Sequence, residues 1–361
     1  MFRAKKHHSR RIALMTASAA SVVLAVTACG GAATSASAPA SDVDPGCEKA
    51  YPAKYQWYDG NIINIQAAVA KEKGFFAKNC IAGTPVSIAS TPASITAMVG
   101  GQVDFINTGP DNVPPARAQG IDLKVVTNIL TRPIYSLVVL KDKVGATYQE
   151  TLNNIKTVGV VALGGSAEFH SHTNFQDAGI DPGTKTFVAL GQTSTMLAGL
   201  ENKKVDAVYF YGTAQDVAVA KGFGIMISDS RKPATNENPV PKTLQGVGKT
   251  SLLWAAQGSF LQKNPETGKR FQAALDEASV WIRDPKNREE LYKILRNQVS
   301  VPADLANADE VYKASVDIYA QNVDTKVDLT ALQAYVDFTV KTRGTKITEQ
   351  AKDMVWSETV K

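Results

Sequence analysis

Residues 54–283 alternate between short runs of β-branched or aromatic residues and longer segments whose apolar residues follow helical spacing. Gly, Pro and Asn separate these segments, which is the pattern of an α/β fold with a parallel sheet. In the first half we predict strands at Lys54–Trp57, Val86–Ala89, Val103–Ile106 and Leu123–Val126. The helices predicted between them cover Ile62 to Phe76, the region around Ser94–Val99, and a segment opened by Pro114-Pro115.

The same alternation starts again after the apolar segment 135–140 and predicts a second lobe. Its strands are predicted at Val158–Val161, Phe187–Ala189 and Ala207–Tyr209, and its helices at Ser166–Ala178, Thr193–Leu200 and Gly212–Ala220. Two short segments, 101–105 and 203–207, are weakly similar, and each leads from a helix into a strand. Apolar segments at 136–140 and 251–256 predict a hinge of two crossing strands. The predicted limits are therefore 51–138 and 258–361 for lobe one and 139–257 for lobe two.

The N-terminus has the pattern of an export signal. Residues 1–11 contain five Lys or Arg and no acid, and an uncharged apolar run follows from Ile12 to Val26. This run is too short for a permanent membrane span but fits the core of a secretory signal. Small residues precede Cys29, as a lipoprotein signal peptidase requires. We predict a signal peptide over 1–28, a lipid anchor on Cys29 and a flexible tether over 29–50. A free Cys29 is the alternative, and the export route, Sec or twin-arginine, stays open.

The charge balance disfavours nucleic acid as a partner. The chain has 39 basic and 34 acidic residues, and removing the signal leaves 34 of each. The mature part therefore lacks the basic excess that phosphate-backbone binding needs. Its two remaining cysteines, Cys47 and Cys80, are most simply a disulfide in an exported protein. A metal site is disfavoured because the pair has no CxxC spacing.

Four segments resemble one known family. They are Ala70-Lys71-Glu72-Lys73-Gly74-Phe75-Phe76, Gly100–Phe105 with Thr108-Gly109-Pro110, Ile155–Val160 with Gly164-Gly165-Ser166-Ala167, and Lys204–Val208. The first is similar to "AxEKGFF", the second to "GxVDFxxxGP" and the third to "KGKKIGV…GSSA" of type II periplasmic binding proteins of the nitrate/sulfonate/taurine and thiamine-precursor group. The segments occur in order over about residues 54–285, which covers most of the mature chain.

The resemblance implies a two-lobed clamp that captures a small solute and delivers it to an ABC permease and its ATPase, without catalysis or a cofactor. We expect a monomer. Open α/β sheets bind ligands at the carboxyl ends of their strands, so the loops that follow the strands are candidate contacts. The candidate ligand-binding residues are Trp57, Tyr58, Thr108, Gly109, Gly165, Ser166, Ala167, His170, Gln192, Thr193, Tyr209, Tyr211 and Arg132.

Several of these residues have a second interpretation. Ser166 either contacts the ligand at the start of a helix, where free amides favour an anion, or simply caps that helix. The aromatic residues either face the cleft or pack in the core. His170 either reaches the cleft or lies on a solvated helix face.

Charge near the candidate loops leaves the ligand class open. Asp59, Asp111 and Glu168 flank these loops, and three inward carboxylates would not suit an anion. Arg132 and Arg117 are the available guanidinium partners for a carboxylate or sulfonate. We therefore expect a small organic anion, a sulfonate or carboxylate, with an aromatic body as one option. If the acids face the ligand, a thiamine-precursor-like heterocycle or another amine-bearing solute becomes the better choice.

Two other classes of protein are alternatives to a transport receptor. The sequence contains no GxSxG elbow, no P-loop and no His-rich zinc pattern, so an enzyme is disfavoured. It also lacks the cysteine-rich motif of the fungal pyrimidine synthases that share this fold. A tethered sensor that reports solute to a partner receptor would use the same clamp, and the sequence does not separate it from an importer component.

Overall fold

A computed structural model of the chain describes residues 43–247 and 249–359. The predicted signal peptide, the lipidation of Cys29 and most of the predicted tether lie outside the described residues. The strands are β1 (Tyr51–Trp57), β2 (Ile81–Ser87), β3 (Phe105–Thr108), β4 (Leu123–Leu130), β5 (Ser136–Leu140), β6 (Thr157–Val160), β7 (Thr186–Ala189), β8 (Ala207–Phe210), β9 (Gly224–Asp229) and β10 (Leu252–Gln257).

The helices connect and cover these strands. They are α1 (Ile65–Glu72), α2 (Phe75–Lys78), α3 (Thr91–Val99), α4 (Val113–Ala118), α5 (Tyr148–Asn154), α6 (Ser166–Gln176), α7 (Thr193–Glu201), α8 (Ala214–Ala220), α9 (Lys242–Gly246), α10 (Gly258–Lys263), α11 (Pro265–Arg283), α12 (Arg288–Arg296), α13 (Ala308–Asn322), α14 (Leu329–Arg343) and α15 (Ala351–Met354). None of the helices within the described ranges is long and apolar enough to span a membrane.

The strands form two five-stranded sheets with equivalent topology. Sheet one has the order β2-β1-β3-β10-β4, and sheet two has the order β7-β6-β8-β5-β9. In each sheet the first three strands are parallel, whereas β10 and β5 are antiparallel to both of their neighbours. The sheets are therefore mixed and not purely parallel as predicted, because one strand of each sheet enters from the other lobe in the opposite direction.

The two predicted crossing strands each lie within a single sheet. β5 pairs with β8 and β9 in sheet two, and β10 pairs with β3 and β4 in sheet one. The chain passes between the sheets along residues 131–135 and 230–251. The predicted limits at 138 and 257 are therefore displaced: residues 136–138 belong to lobe two and residues 252–257 to lobe one.

The C-terminal helices pack mainly on lobe one. α11 contacts α1, α2 and strands of sheet one, α14 contacts α4, and α15 contacts β4. Phe271 of α11 stacks on Phe105 of β3 with ring centroids 4.0 Å apart, which fixes the helix against the sheet. α13 differs because it contacts α8 in lobe two.

The weak repeat in the sequence has the same structural role in both lobes. Asp104 precedes β3, and its Oδ2 accepts a 2.8 Å hydrogen bond from the backbone amide of Lys54 in β1. Asp206 precedes β8, and its Oδ2 accepts bonds from the amides of Lys156 and Thr157 at the start of β6. In each lobe the carboxylate therefore ties together two neighbouring parallel strands.

Candidate functional site

Two adjoining cavities lie between the lobes. The outer cavity has a volume of about 420 Å³ and the inner cavity a volume of about 30 Å³, and residues of both lobes line each of them. Tyr58, Ala89 and Tyr211 line both cavities. The rings of Tyr58 from lobe one and Tyr211 from lobe two meet edge to face, with centroids 6.4 Å apart. This aromatic pair lies where the two cavities adjoin.

Most of the lining comes from the carboxyl ends of parallel strands. Tyr58 follows β1, Ala89 follows β2, Gly109 follows β3, Gly165 follows β6, Gln192 follows β7 and Tyr211 follows β8. Open α/β sheets place their ligand crevice at this edge. The cavities are therefore where the topology predicts a binding site.

Three helices begin at these cavities without a side-chain cap. Ser90 and Thr91 at the start of α3 and Ser166 at the start of α6 line the inner cavity, and Thr193 at the start of α7 lines the outer one. No N-cap side chain bonds to the first amides of these three helices, whereas α5 and α14 carry such caps. Free amides at a helix start carry a partial positive charge and favour an anion.

Asn107 of β3 is a buried polar residue in the lining of the inner cavity. Its side chain is 1% exposed, and neither its amide oxygen nor its amide nitrogen has a hydrogen-bond partner within the described residues. Leaving a buried polar group unpaired costs about 1–3 kcal/mol. Asn107 can therefore donate to, or accept from, a polar group that enters the cavity.

The described lining of both cavities contains one charged side chain, Asp59 in the outer cavity. The hydroxyl of Ser87 donates to its carboxylate. Burial is the main cause that raises the pKa of Tyr58, Tyr135 and Tyr211, which all line the inner cavity. These hydroxyls stay protonated at neutral pH, so an anion here would meet neutral donors instead of a cationic side chain.

Behind the inner cavity lies a buried polar cluster that joins the lobes. Ser166 Oγ donates a 2.9 Å hydrogen bond to Asp111 Oδ1 and accepts a 2.6 Å bond from Asn112 Nδ2. His170 Nε2 lies 3.6 Å from Asp111 Oδ1, and Arg343 donates to Asp111 Oδ2 at 3.3 Å. We call these five residues the Asp111 cluster.

The carboxylate of Asp111 is fully buried. Burial is the largest influence on its pKa and acts to raise it, but His170, Arg343 and Ser166 together outweigh burial and hold the pKa below its ordinary value. Asp111 is therefore ionised at neutral pH. Because the single hydroxyl proton of Ser166 is donated to Asp111, the free backbone amides are the donors that α6 offers to a ligand.

The structure brings together several of the candidate residues proposed from the sequence. Those that line the cavities are Tyr58, Gly109, Gly165, Ser166, Gln192, Thr193 and Tyr211. The strand-end candidates that do not line them pack elsewhere. Trp57 packs on the core, Tyr209 stacks on Tyr135 with centroids 5.2 Å apart, and the hydroxyl of Thr108 donates to the carbonyl of Gly109.

Three candidates beyond the strand ends also lie outside the lining. Ala167 is buried in the core. His170 is 1% exposed between Tyr135 and Tyr335, so it neither lines the cleft nor lies on a solvated helix face. Arg132 lines a separate cavity of about 10 Å³ beside Arg231.

The predicted guanidinium contact is therefore not formed in the described cleft. Arg117 pairs with Glu349 and Asp122 instead. Of the three acids that flank the loops, Asp59 alone is in the described lining; Asp111 is buried behind it, and the carboxylate of Glu168 accepts a 2.5 Å bond from the amide of Gly164.

Sequence reasoning missed Asn107, Tyr135, Thr91 and Ser300 in the lining. Ser90-Thr91-Pro92 carried a usable signal, because a hydroxyl residue followed by proline marks a helix start. Asn107 is an amide residue that follows two apolar residues in the short strand β3, which was also a signal. Ser300 lies in the loop after α12, and no motif marks it.

The sequence profile of the family described as NMT1/THI5 like matches residues 62–287, which is more than half of the chain. The chain belongs to this family. The matched range includes every strand except β1, and most of the cleft lining. No curated protein matches the chain by sequence.

Solved structures show the fold of this NMT1/THI5-like chain. The ligand-binding component of an ABC-type import system from Staphylococcus aureus, solved with zinc bound, has a TM-score of 0.66 and 14% identity, covering 85% of this chain and 97% of that one. The periplasmic aliphatic sulphonate binding protein SsuA from Escherichia coli has a TM-score of 0.65 and 18% identity, covering 86% and 99%. The alkanesulfonate-binding protein SsuA from Xanthomonas axonopodis pv. citri, bound to MOPS, has a TM-score of 0.63 and 15% identity, covering 86% and 99%. The predicted two-lobed type II periplasmic-binding-protein fold is confirmed.

The described residues contain no group of three or more His, Cys, Asp or Glu side chains that could hold a metal ion. The polar groups at the cleft are instead hydroxyls, amides and the carboxylate of Asp59.

Proposed function

We propose that this chain is the extracytoplasmic solute-binding receptor of an ABC importer, and that it captures a small organic anion, a sulfonate or carboxylate. The observation that supports an anionic ligand is the inner cavity, where the uncapped starts of α3 and α6 adjoin the unpartnered side-chain amide of Asn107. No carboxylate is in the described lining of this cavity. An anionic head would therefore gain hydrogen bonds there, and the carboxylate of Asp111 behind the lining is paired with Arg343.

The size of the two cavities suits a ligand with an acidic head and an organic body. In this conformation the inner cavity holds about one or two waters, so a head group enters when the lobes open slightly. The outer cavity, about 420 Å³, has room for the body, and Leu197, Val217 and Val301 contribute apolar surface to it. Tyr58 and Tyr211 supply an aromatic contact at the boundary.

A second candidate is an amine-bearing heterocycle, such as a thiamine-precursor-like solute. The observation that favours it is Asp59, which lines the outer cavity close to the aromatic pair. A carboxylate at that position would attract a protonated amine and disfavour a second negative charge.

Two isosteric charge changes separate these candidates. Asn107→Asp adds a negative charge to the inner cavity, and Asp59→Asn removes one from the outer cavity. Asn153→Asp, at an exposed position of α5, is the matched control for an added charge. Each protein would be screened by thermal shift and titration calorimetry against alkyl and aromatic sulfonates, carboxylates, nitrate and aminopyrimidines.

The anion proposal predicts that a sulfonate or carboxylate binds the parent chain and the Asn153→Asp control equally. Asn107→Asp should weaken that binding by at least about 100-fold, because two like charges 5 Å apart repel by about 3 kcal/mol at an effective dielectric constant of 20. Asp59→Asn should leave it unchanged or tighten it. Binding of an aminopyrimidine that is lost in Asp59→Asn and retained in Asn107→Asp would replace the anion with the amine.

The membrane anchor and the importer are part of the same proposal. Cys29, which lies outside the described residues, would carry the lipid, so the exported protein should partition into detergent and Cys29→Ala should release it into the aqueous phase. Solute uptake that requires this chain together with a permease and an ATPase would support transport. Solute binding without any effect on uptake would favour the tethered sensor.

A further inference from the structure

Asp111 is a buried charge that lies outside the lining of both described cavities. We propose that Asp111 is a positioning residue of the clamp: it holds Ser166, and with it the start of α6, against lobe one, and so stabilises the closed arrangement of the lobes and slows solute release. The part that concerns solute release rests on the proposed receptor function. The part that concerns closure does not.

The contacts of Asp111 cross the junction between the lobes. Asp111 lies in the short turn Pro110–Asn112 that follows β3 in lobe one. Ser166, which donates to Asp111, and His170, which lies 3.6 Å from it, belong to α6 in lobe two. Opening the lobes therefore removes two neighbours of a buried carboxylate at once, and it also breaks the bond from Asn112 to Ser166.

Arg343 anchors the carboxylate from its own side. This residue ends α14, which packs against α4 of lobe one, and it donates to Asp111 Oδ2 while Ser166 donates to Oδ1. The guanidinium also lies over the ring of Phe169 in α6, 4.1 Å from its centroid. Each carboxylate oxygen thus has a donor, so the carboxylate presents Oδ1 to Ser166 in one orientation.

The position of Ser166 is important because the proposed ligand site includes the start of α6. Gly165 and Ser166 line the inner cavity opposite Ser90 and Thr91 of lobe one. A hydrogen bond to a charged group is stronger than a neutral one, and its loss typically changes an equilibrium by about 10- to 100-fold. The Asp111 cluster is therefore strong enough to set how much of the protein is closed.

The test is Asp111→Asn, made in the chain from residue 30 onward with its disulfide intact. Asn keeps the shape of the side chain but loses the charge that faces Ser166, His170 and Arg343. The matched control is Asp206→Asn, because Asp206 makes its bonds to Lys143, Lys156 and Thr157 within lobe two. Small-angle X-ray scattering without solute measures closure, and stopped-flow or surface plasmon resonance measures solute rates.

We expect Asp111→Asn, without solute, to have a larger radius of gyration than the parent and the control. For a solute identified in the screen, we expect its dissociation rate to rise about 10- to 100-fold with a nearly unchanged association rate. In a double-mutant cycle Ser166→Ala should add little to Asp111→Asn, because both remove the charge-assisted hydrogen bond between these two residues.

Equal radii for Asp111→Asn and Asp206→Asn would overturn the inference, and so would fully additive effects of Asp111→Asn and Ser166→Ala. If no member of the solute panel binds, the proposed ligand class fails while the scattering comparison still decides the role in closure. If Asp111→Asn loses its near-ultraviolet circular dichroism, Ser166→Ala removes the same bond from the other lobe, and an unchanged radius in that variant overturns the inference.

Discussion

Arg231 is a buried guanidinium beside the segment that connects lobe two with lobe one. Its Nη atoms donate to both carboxylate oxygens of Asp216, and its Nε and Nη2 donate to Asp229. Asp216 also accepts a 2.7 Å bond from Ser315 of α13. Burial acts to raise the pKa of Asp229, but Arg231, Ser136 and Lys232 together outweigh burial, and the pKa lies below its ordinary value. This ion network joins a C-terminal helix to lobe two.

Arg231→Met should lower the free energy of unfolding by about 3–5 kcal/mol at pH 7, because it leaves buried carboxylates without their partner. A carboxyl with a lowered pKa stabilises the fold above its unfolded-state pKa, and this contribution is lost as the pH falls through the lowered value. The difference between the variant and the parent should therefore shrink in acid. Urea unfolding at several pH values measures it. Arg283→Met, which removes a half-exposed ion pair with Asp324, is the control and should lower the free energy of unfolding by less than about 1 kcal/mol. Equal losses in both variants would contradict a stabilising role for the Arg231 network.

At the scale of elements, the sequence pattern predicted some helix starts and strands correctly and missed others, such as β9. The starts of α6 at Ser166 and α7 at Thr193 agree with the prediction, as do the bounds of β5. The predicted strand Val86–Ala89 covers only the end of β2, because Pro85 argues against a central strand and is tolerated here at the edge of sheet one. The predicted helix from Ile62 to Phe76 breaks at Gly74, whose φ is 71°.

The location of the site was predictable from the sequence, but the side chains that face the cleft were not. Topology puts candidate residues after each strand, yet neighbouring residues point to opposite sides, so Tyr58 lines the cleft while Trp57 packs on the core. Tyr209 and Tyr211 are two residues apart and would share a face in a continuous strand. Of the two, Tyr211 alone lines the cavities, because it lies past the end of β8. The bond between Ser166 and Asp111 joins residues of different lobes, and no local pattern in the sequence can show such a pair.

The predicted disulfide between Cys47 and Cys80 joins the segments that enter β1 and β2. It closes a loop with a sequence separation of 33 residues. In the chain-entropy description a loop of this length stabilises the fold by about 3–4 kcal/mol. The double variant Cys47→Ala/Cys80→Ala should therefore unfold at a clearly lower urea concentration, and the parent treated with a reductant should approach it. An unchanged midpoint in both experiments would show that this edge of sheet one does not depend on the crosslink.

In the proposed function the molecule binds solute by bringing its two lobes together, so the space at their junction is itself a determinant of affinity. Gly109 of lobe one lies against Ser166 of lobe two, and a Cβ on Gly109 would overlap Ser166 Oγ and Asp111 Oδ1. Gly100, which follows α3 and is in the lining of neither cavity, has room, since its nearest neighbours would lie 3.5 and 3.6 Å from an added Cβ. Both glycines have backbone conformations that alanine adopts readily, with φ of −73° and −77°. The same substitution at the junction and away from it therefore separates the effect of closure from that of a changed backbone.

Gly109→Ala should hold the lobes apart at the Asp111 cluster and lower the apparent solute affinity tenfold or more, on the order expected when the closed form becomes a minor population. Gly100→Ala should stay within about threefold of the parent, since ordinary van der Waals contact costs little. Calorimetry of both variants with the same solute measures the affinities, and scattering without solute measures the opening. Equal affinities would mean that the solute closes the lobes along a path that does not bring Gly109 and Ser166 together. A loss confined to Gly109→Ala, together with an enlarged radius of gyration, would instead show that contact between the lobes at this junction contributes directly to solute affinity.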